Sequence, residues 1–256
     1  SRERESNDRP FELPQYQDSL VQCITAANPN TVVLLNAGGN VDMSKWIDKV
    51  PALLHLWYAG QEVGTAVAEM LFGKVNPSGK LPVSFEKKWE DNPAYPYYYD
   101  TDGDKRVEYK EGLFMGYRHY DISDTKPQFA FGYGLSYTTF KYSDLRINRE
   151  KGKDLAVKVR FTVKNTGEYD RAETAQVYIR PVNPKVERPY KELKGFVKHI
   201  IRKNAGQEME ITLNKDAFSY YKTDLKDFDY DAGSYEVLVG SASDDIRLRK
   251  VIQIEK

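Results

Sequence analysis

An α/β region followed by an all-β region is the fold class that this sequence predicts, and three observations carry it. Leu56–Phe85 passes from a short apolar run through glycines into a helical stripe, a glycine stop and a second extended run. That opening run, Ala52–Trp57, and an earlier one, Thr31–Leu35, have the length of strands packed on both faces. After Phe140 the apolar residues recur at every second position, the period of a strand with one wet face.

In chain order, Ser1–Pro10 is charged and irregular. Leu13-Pro14 opens a helix, since proline is tolerated in a first turn. Tyr16, Leu20, Ile24 and Ala27 form its expected apolar face, and Asn28-Pro29-Asn30 ends it. Thr31–Leu35 is expected as a buried strand, Asn36–Asn40 as the loop at its end, Met43–Lys49 as a short helix and Ala52–Trp57 as the next strand. This βαβ order implies a parallel sheet. Val63, Ala66, Val67, Met70 and Leu71 make a helical stripe. Gly73 stands where a left-handed residue closes a helix. Asn76–Gly79 reads as a turn and Leu81–Phe85 as a third parallel strand. Glu86–Asp104 reads as a long loop, and Val107–Tyr120 as extended and aromatic. Beyond the glycine-punctuated Phe129–Phe140, strands are expected around Val157–Val163, Ala175–Ile179, Met209–Leu213, Tyr235–Val239 and Ile246–Ile254. Several short alternating strands of this kind suggest a β-sandwich. The division falls near residue 140, giving regions 1–140 and 141–256.

Composition narrows the function. Lys plus Arg and Asp plus Glu both number 38, so no net field points to nucleic acid or an anionic membrane. No apolar run of about 18 residues occurs, the length of a transmembrane helix. The single cysteine, Cys23, excludes an internal disulfide and is expected as a small buried group beside Ile24. Nineteen tyrosines and eleven phenylalanines suit a carbohydrate-facing protein, and equally any tyrosine-rich β protein. His119 and His199 lack metal-ligand partners at useful spacing, so neither a metal site nor a cofactor is expected. Gly38-Gly39 reads as a tight turn and His55 as a packed residue. Trp57 is expected in the core, while Trp46 and above all Trp89 could stack on a sugar.

The segment WYAGQEVGTAVAEMLFGKVNPSGKLPVSF closely resembles part of the second domain of glycoside hydrolase family 3, the family of β-glucosidases and related exo-acting enzymes. That domain is an α/β sandwich beside a TIM-like barrel. Two further stretches resemble the same family in the same order. VEYKEGLFMGYRHYD with FAFGYGLSYTTF is similar to its link to a C-terminal fibronectin type III-like domain. FTVKNTGEYDRAETAQVYI, RPYKELKGFVKH and GSYEVLVGSASDDIRL are similar to that domain itself. The resemblance therefore implies part of the α/β sandwich, with a mostly parallel sheet, followed by a fibronectin type III-like β-sandwich.

It also implies a site. RERESNDR before FELPQYQDSL resembles the stretch that carries the family's general acid/base. Glu5, three residues before Asp8-Arg9, takes that role by resemblance, and Glu3 is the second choice. Where many relatives have glycine after this glutamate, the chain has Ser6. Taken alone, Glu3 and Glu5 read as solvated loop charges beside Arg2, Arg4 and Arg9; the Leu56–Phe85 match turns the balance. The family's nucleophile is a barrel aspartate, and no position here matches its motif. The chain is accordingly expected to be the C-terminal piece of a longer protein. The preceding half would be its partner, a β-linked oligosaccharide or an aryl or alkyl glycoside its substrate, and a homodimer is left open. Glu108, Arg118, His119 and Asp121 are expected mainly as a buried polar network fixing domain orientation. A non-catalytic carbohydrate-binding or scaffold module and a β-xylosidase are the alternative readings.

Overall fold

The computed structural model describes residues 10–14, 16–101, 103–150 and 155–256. Helix α1 (Gln17–Ala27) leads into strand β1 (Val32–Leu35), which pairs in parallel with β2 (Ala52–His55) in the register Val32↔Ala52 to Leu35↔His55. A 3-10 turn, Ile47–Lys49, lies between them. Leu35, Ala37, Val41, Met43, Trp46 and Phe85 are buried together, and Val21, Val33, Leu53, Trp57 and Phe129 pack around them.

Helix α1 turns a different face inward from the one expected. Tyr16, Leu20, Ile24 and Ala27 are exposed, whereas Asp18, Val21, Gln22 and Thr25 face the protein. The cause is polar: Asp18 accepts a 3.0 Å hydrogen bond from the buried Trp46 indole and pairs with Lys45 at 2.9 Å. Cys23 rides on the outer side and is exposed, not buried. Strand β1 is half open, since Val32 and Leu34 remain exposed.

Helix α2 (Val63–Leu71) ends with Gly73 at φ +75°, the left-handed closure that glycine favours. Val63, Val67 and Met70 are half-buried, while Ala66 and Leu71 face outward. Leu81–Phe85 is extended but joins no parallel sheet. It runs against Phe129–Tyr133: Leu81 N donates to Tyr133 O, Gly132 N to Leu81 O and Phe85 N to Phe129 O, each at 2.8 Å. Pro82 has no amide to donate, which bars the run from a central strand. Two one-turn helices follow, α3 (Tyr95–Tyr98) and α4 (Tyr117–Tyr120). The second replaces part of the extended stretch expected there, and Gly116 at φ +55° turns the chain into it.

The β-sandwich begins with β3 (Phe140–Arg149) and β4 (Ala156–Asn165). It continues through β5 (Arg171–Pro181), β6 (Glu192–Ile201) and β7 (Gly206–Asn214). A small hairpin of β8 (Tyr220–Lys222) and β9 (Asp227–Asp229) precedes β10 (Gly233–Gly240) and β11 (Ile246–Ile254). One sheet has the order β11-β10-β5-β6, the other β3-β4-β7, and all their pairings are antiparallel. Val157, Val159, Phe161 and Val163 of β4 meet Ala175, Val177 and Ile179 of β5 and Tyr235, Val237 and Val239 of β10 in one core. Strands β3 and β6 and the β8–β9 hairpin have no counterpart among the expected strands.

Several carboxylates around this sandwich are held below their ordinary range. Arg247, hydrogen-bonded at 2.7 Å, does this for Asp245, Lys222 for Asp231 and Lys256 for Asp229. A depressed folded-state pKa contributes stability that is present above the unfolded value and lost as pH falls through the folded one. Melting followed by circular dichroism is therefore expected to show a steady fall in Tm once pH drops below about 4, the unfolded aspartate range.

Candidate functional site

In parallel α/β structures ligands meet the loops at the carboxyl ends of the strands. Here that edge is built tightly. Beyond β1 the chain turns through Asn36–Asn40; beyond β2, Leu56 N extends the pairing with a 2.8 Å bond to Leu35 O. Trp57 then adopts φ +55°, a left-handed conformation costly for a bulky side chain. The reversal sends the Trp57 ring inward against His55 (4.4 Å) and Phe85 (6.0 Å between centroids). Trp57 N donates to His55 Nδ1 at 3.3 Å, and Nε2 of the same imidazole lies 3.2 Å from Gly39 O. Those contacts fit a neutral ring with its proton on Nε2, tying the two strand-end loops together. His55 is thus packed, as expected.

Tyr58 lands on the opposite side, over Gly38. A Cβ at position 38 would lie 2.5 Å from Tyr58 Cε2, so only glycine lets the ring settle there. Asn40 donates to the Glu86 backbone oxygen at 2.8 Å and to its carboxylate at 3.1 Å, and Asn92 donates to the other carboxylate oxygen at 2.8 Å. Asp42 N donates to Phe11 O at 2.8 Å. Phe11 is therefore fastened to the chain that leaves β1.

Glu5 and Glu3 lie outside the described residues. Of the expected polar network, Arg118 reaches Glu192 at 3.2 Å, and Asp121 pairs with Lys191; both contacts bridge to the β-sandwich. Glu108 instead is exposed and pairs locally with Lys110 at 2.5 Å. His119 meets the Tyr120 ring edge-on at 5.2 Å, and burial lowers its pKa. Trp46 is buried with its indole committed to Asp18, which removes it as a sugar platform. Trp89 is half-buried and held edge-on by Tyr95 and Tyr98, at 5.8 and 5.5 Å. His199 lies exposed on β6. Among the described residues no group of His, Cys, Asp and Glu is placed to hold a metal ion.

A second bridge between the two regions went unforeseen. Arg171 donates to Asn76 Oδ1 at 2.7 Å and Leu135 O at 3.3 Å. Glu173 accepts from Tyr142 at 2.9 Å and lies 3.8 Å from Lys80, which also donates to Gly134 O at 3.2 Å. Burial pulls Lys80 below its ordinary pKa, lowers Arg171 to about 10 and pushes the Tyr142 hydroxyl far up. A signal for two of these residues exists in the sequence: Arg171 and Glu173 share the inward phase of Ala175, Val177 and Ile179.

With this geometry in place, the comparisons with known proteins are clear. Residues 1–137 match the family model of the glycosyl hydrolase family 3 C-terminal domain, and residues 173–243 match that of a fibronectin type III-like domain. The thermostable β-glucosidase B of Acetivibrio thermocellus is 41% identical over 254 residues, covering 98% of this chain and 33% of that protein. A β-glucosidase of Kluyveromyces marxianus is 42% identical over 257 residues, covering 99% of this chain and 30% of that one. Among solved structures, a GH3 β-glucosidase of Bifidobacterium adolescentis superposes with a TM-score of 0.91 at 36% identity, over 98% of this chain and 37% of its own. The K. marxianus β-glucosidase in complex with glucose gives 0.90 at 40% identity, over 97% and 29%. The chain thus spans about a third of the length of the curated relatives it matches. With more than half of its residues inside the first family model, the chain belongs to glycoside hydrolase family 3.

Proposed function

We propose that this chain is the C-terminal part of a retaining, exo-acting β-glucosidase that removes terminal non-reducing β-D-glucosyl residues. The observation that carries the proposal is the match to β-glucosidases along nearly the whole chain, together with the family-model match over residues 1–137, which includes the segment of Glu5. Glu5 is the general acid/base, with Glu3 as the second choice. The nucleophile is an aspartate of a preceding barrel. The division between the two regions of this chain is placed near residue 140.

The chemistry needs two carboxyl groups roughly 5–5.5 Å apart. The nucleophile attacks the anomeric carbon while the glycosidic C–O bond breaks, and the Glu5 proton passes to the leaving oxygen. The Glu5 carboxylate then takes a proton from water, whose oxygen attacks the same carbon and releases the nucleophile. A proton donor at working pH needs a raised pKa, which closure of a barrel pocket over the carboxyl group provides.

Packing against a preceding half is supported by what stays uncovered: Leu20 and Ile24 on α1, and Val32 and Leu34 on β1. Residues 1–256 alone are expected to leave an aryl β-glucoside intact, and to support its hydrolysis when combined with the N-terminal half. Release of the aryl group by residues 1–256 alone would place the nucleophile in this sequence and overturn the shared site.

A further inference from the structure

We infer that a cavity at one end of the β-sandwich is a non-catalytic binding site for a single neutral pyranose, such as the end residue of a glycan. The inference goes beyond the glucosidase reading and does not depend on where the catalytic centre lies. The cavity holds about 100 Å³ between the loop that joins β5 to β6, which supplies Val182, Val186 and Arg188, and the hairpin side, which supplies Tyr220, Asp231 and Tyr235. Its walls are held in place. Val182 N donates to Ser234 O at 3.0 Å, and the Tyr235 hydroxyl donates to Asp231 O at 2.9 Å. Asn183 at φ +53° turns the loop between them.

The polar groups around the cavity select the ligand. Asp231 accepts from the Tyr220 hydroxyl at 2.9 Å and from Lys222 at 2.7 Å. Lys222 keeps this carboxyl below its ordinary range, so it is ionised and only accepts. Arg188 donates to Phe218 O at 3.1 Å and to Glu192 at 2.9 Å, and its guanidinium lies 5.2 Å from the centre of the Tyr220 ring. A carboxylate has about four lone-pair sites and a guanidinium five N–H groups, so both keep capacity for a ligand. Ion pairs contribute less to stability than apolar packing of the same volume, so their convergence on a cavity points to recognition. Arg188 offsets Glu192 and Lys222 offsets Asp231, so the walls draw neither an anion nor a cation. A neutral molecule with hydroxyls on its edge and C–H groups on its face meets all of them: the hydroxyls take the carboxylate and guanidinium, the face takes the valines and tyrosine rings. The volume lies below the roughly 300–1,000 Å³ of a drug-sized pocket, which limits the ligand to one ring.

The test uses the full-length enzyme with its catalytic pocket occupied by a fluoroglucosyl inactivator, and saturation-transfer NMR with glucose as the probe. Wild type is expected to bind glucose with a Kd of about 1–10 mM, the range open to so small a ligand. Ala232→Leu fills the cavity and Val186→Glu sets a carboxylate on its apolar wall; both positions line it and are exposed, so the fold is retained. Each variant is expected to weaken glucose binding by about ten-fold or more. Before inactivation each is expected to hydrolyse an aryl glucoside as wild type does. No glucose binding in wild type, or equal binding in all three proteins, overturns the site. Saturation of N-acetylprolinamide in place of glucose would make the cavity a peptide-docking site and overturn the sugar assignment. Failure of the inactivator to label the enzyme counts against the retaining glucosidase reading alone, because the difference between wild type and the two variants still reads the cavity.

Discussion

Replacing Glu5 by alanine in the complete enzyme is expected to cut turnover of a disaccharide by about 10²–10⁴-fold, the usual span of general acid–base catalysis. The loss should depend on the leaving group. A sugar alkoxide departs poorly without a proton, whereas an activated aryl oxide needs little help, so the first step on aryl glucosides is expected to survive. Deglycosylation should then limit the rate, because water also loses its base. Azide, which needs no deprotonation, should restore turnover and yield the glycosyl azide. Steady-state rates on cellobiose and on a dinitrophenyl glucoside, with and without azide, check each step. Full activity of Glu5→Ala on cellobiose together with loss in Glu3→Ala would move the role to Glu3.

The largest expected effect on stability lies at Lys191. Its side chain is 4% exposed and pairs with Asp121, itself 12% exposed, across the junction between the α/β region and the sandwich. Burial pushes the Asp121 carboxyl above its ordinary pKa even with Lys191 beside it, and its Oδ2 has no hydrogen-bond partner. Removing the ammonium leaves a buried charge uncompensated, so Lys191→Met is expected to cost about 3–5 kcal/mol. Adding Asp121→Asn should recover much of that loss, since the charge to be desolvated is then gone. The sign with pH follows from the raised folded-state pKa. Such a group favours folding while protonated, and that contribution is lost as pH rises through the folded pKa. The deficit of Lys191→Met relative to wild type should therefore shrink as pH falls toward the unfolded aspartate value, near about 4. Urea unfolding of both variants at neutral and acidic pH measures it.

How much could be read beforehand differs from element to element, and the reasons are physical. Strand β4 was legible because it is the middle strand of its sheet and every second side chain enters the core. Strand β6 was not: it is an edge, its inward series includes Gly195, and Phe196 and Ile200 point to solvent. Helix α1 carries two stripes of helical period, and the choice between them is made by a hydrogen bond to Trp46, 28 residues away. Leu81–Phe85 looked like a strand because its residues are extended, while Pro82 decides against a sheet interior. The packed role of His55 was readable from its apolar neighbours. The buried Lys80 depends on a partner distant in sequence, so no local pattern announces it, whereas Glu173 shares the inward phase of its own strand. The role proposed for Glu5 rests on the resemblance alone, because a glutamate among arginines carries no signature of its own.

The outer face of the four-stranded sheet is roofed by residues that precede the sandwich in sequence. Tyr117 Oη accepts a 2.9 Å bond from Leu193 N, and its ring meets that of Tyr178, 5.9 Å away. Phe131 O accepts from Ser243 N at 2.8 Å, and Gly132 at φ +81° lies against the Gln176 amide, where a Cβ would collide. Chimeras built by exchanging C-terminal modules between family members would inherit this roof or lose it according to the splice point. A crossover at residue 140 joins one parent's roof to another parent's sheet. A crossover just ahead of Gly116 transfers roof and sheet as a matched pair, and leaves Arg171–Asn76 and Lys80–Glu173 as the buried polar seams still to be reconciled.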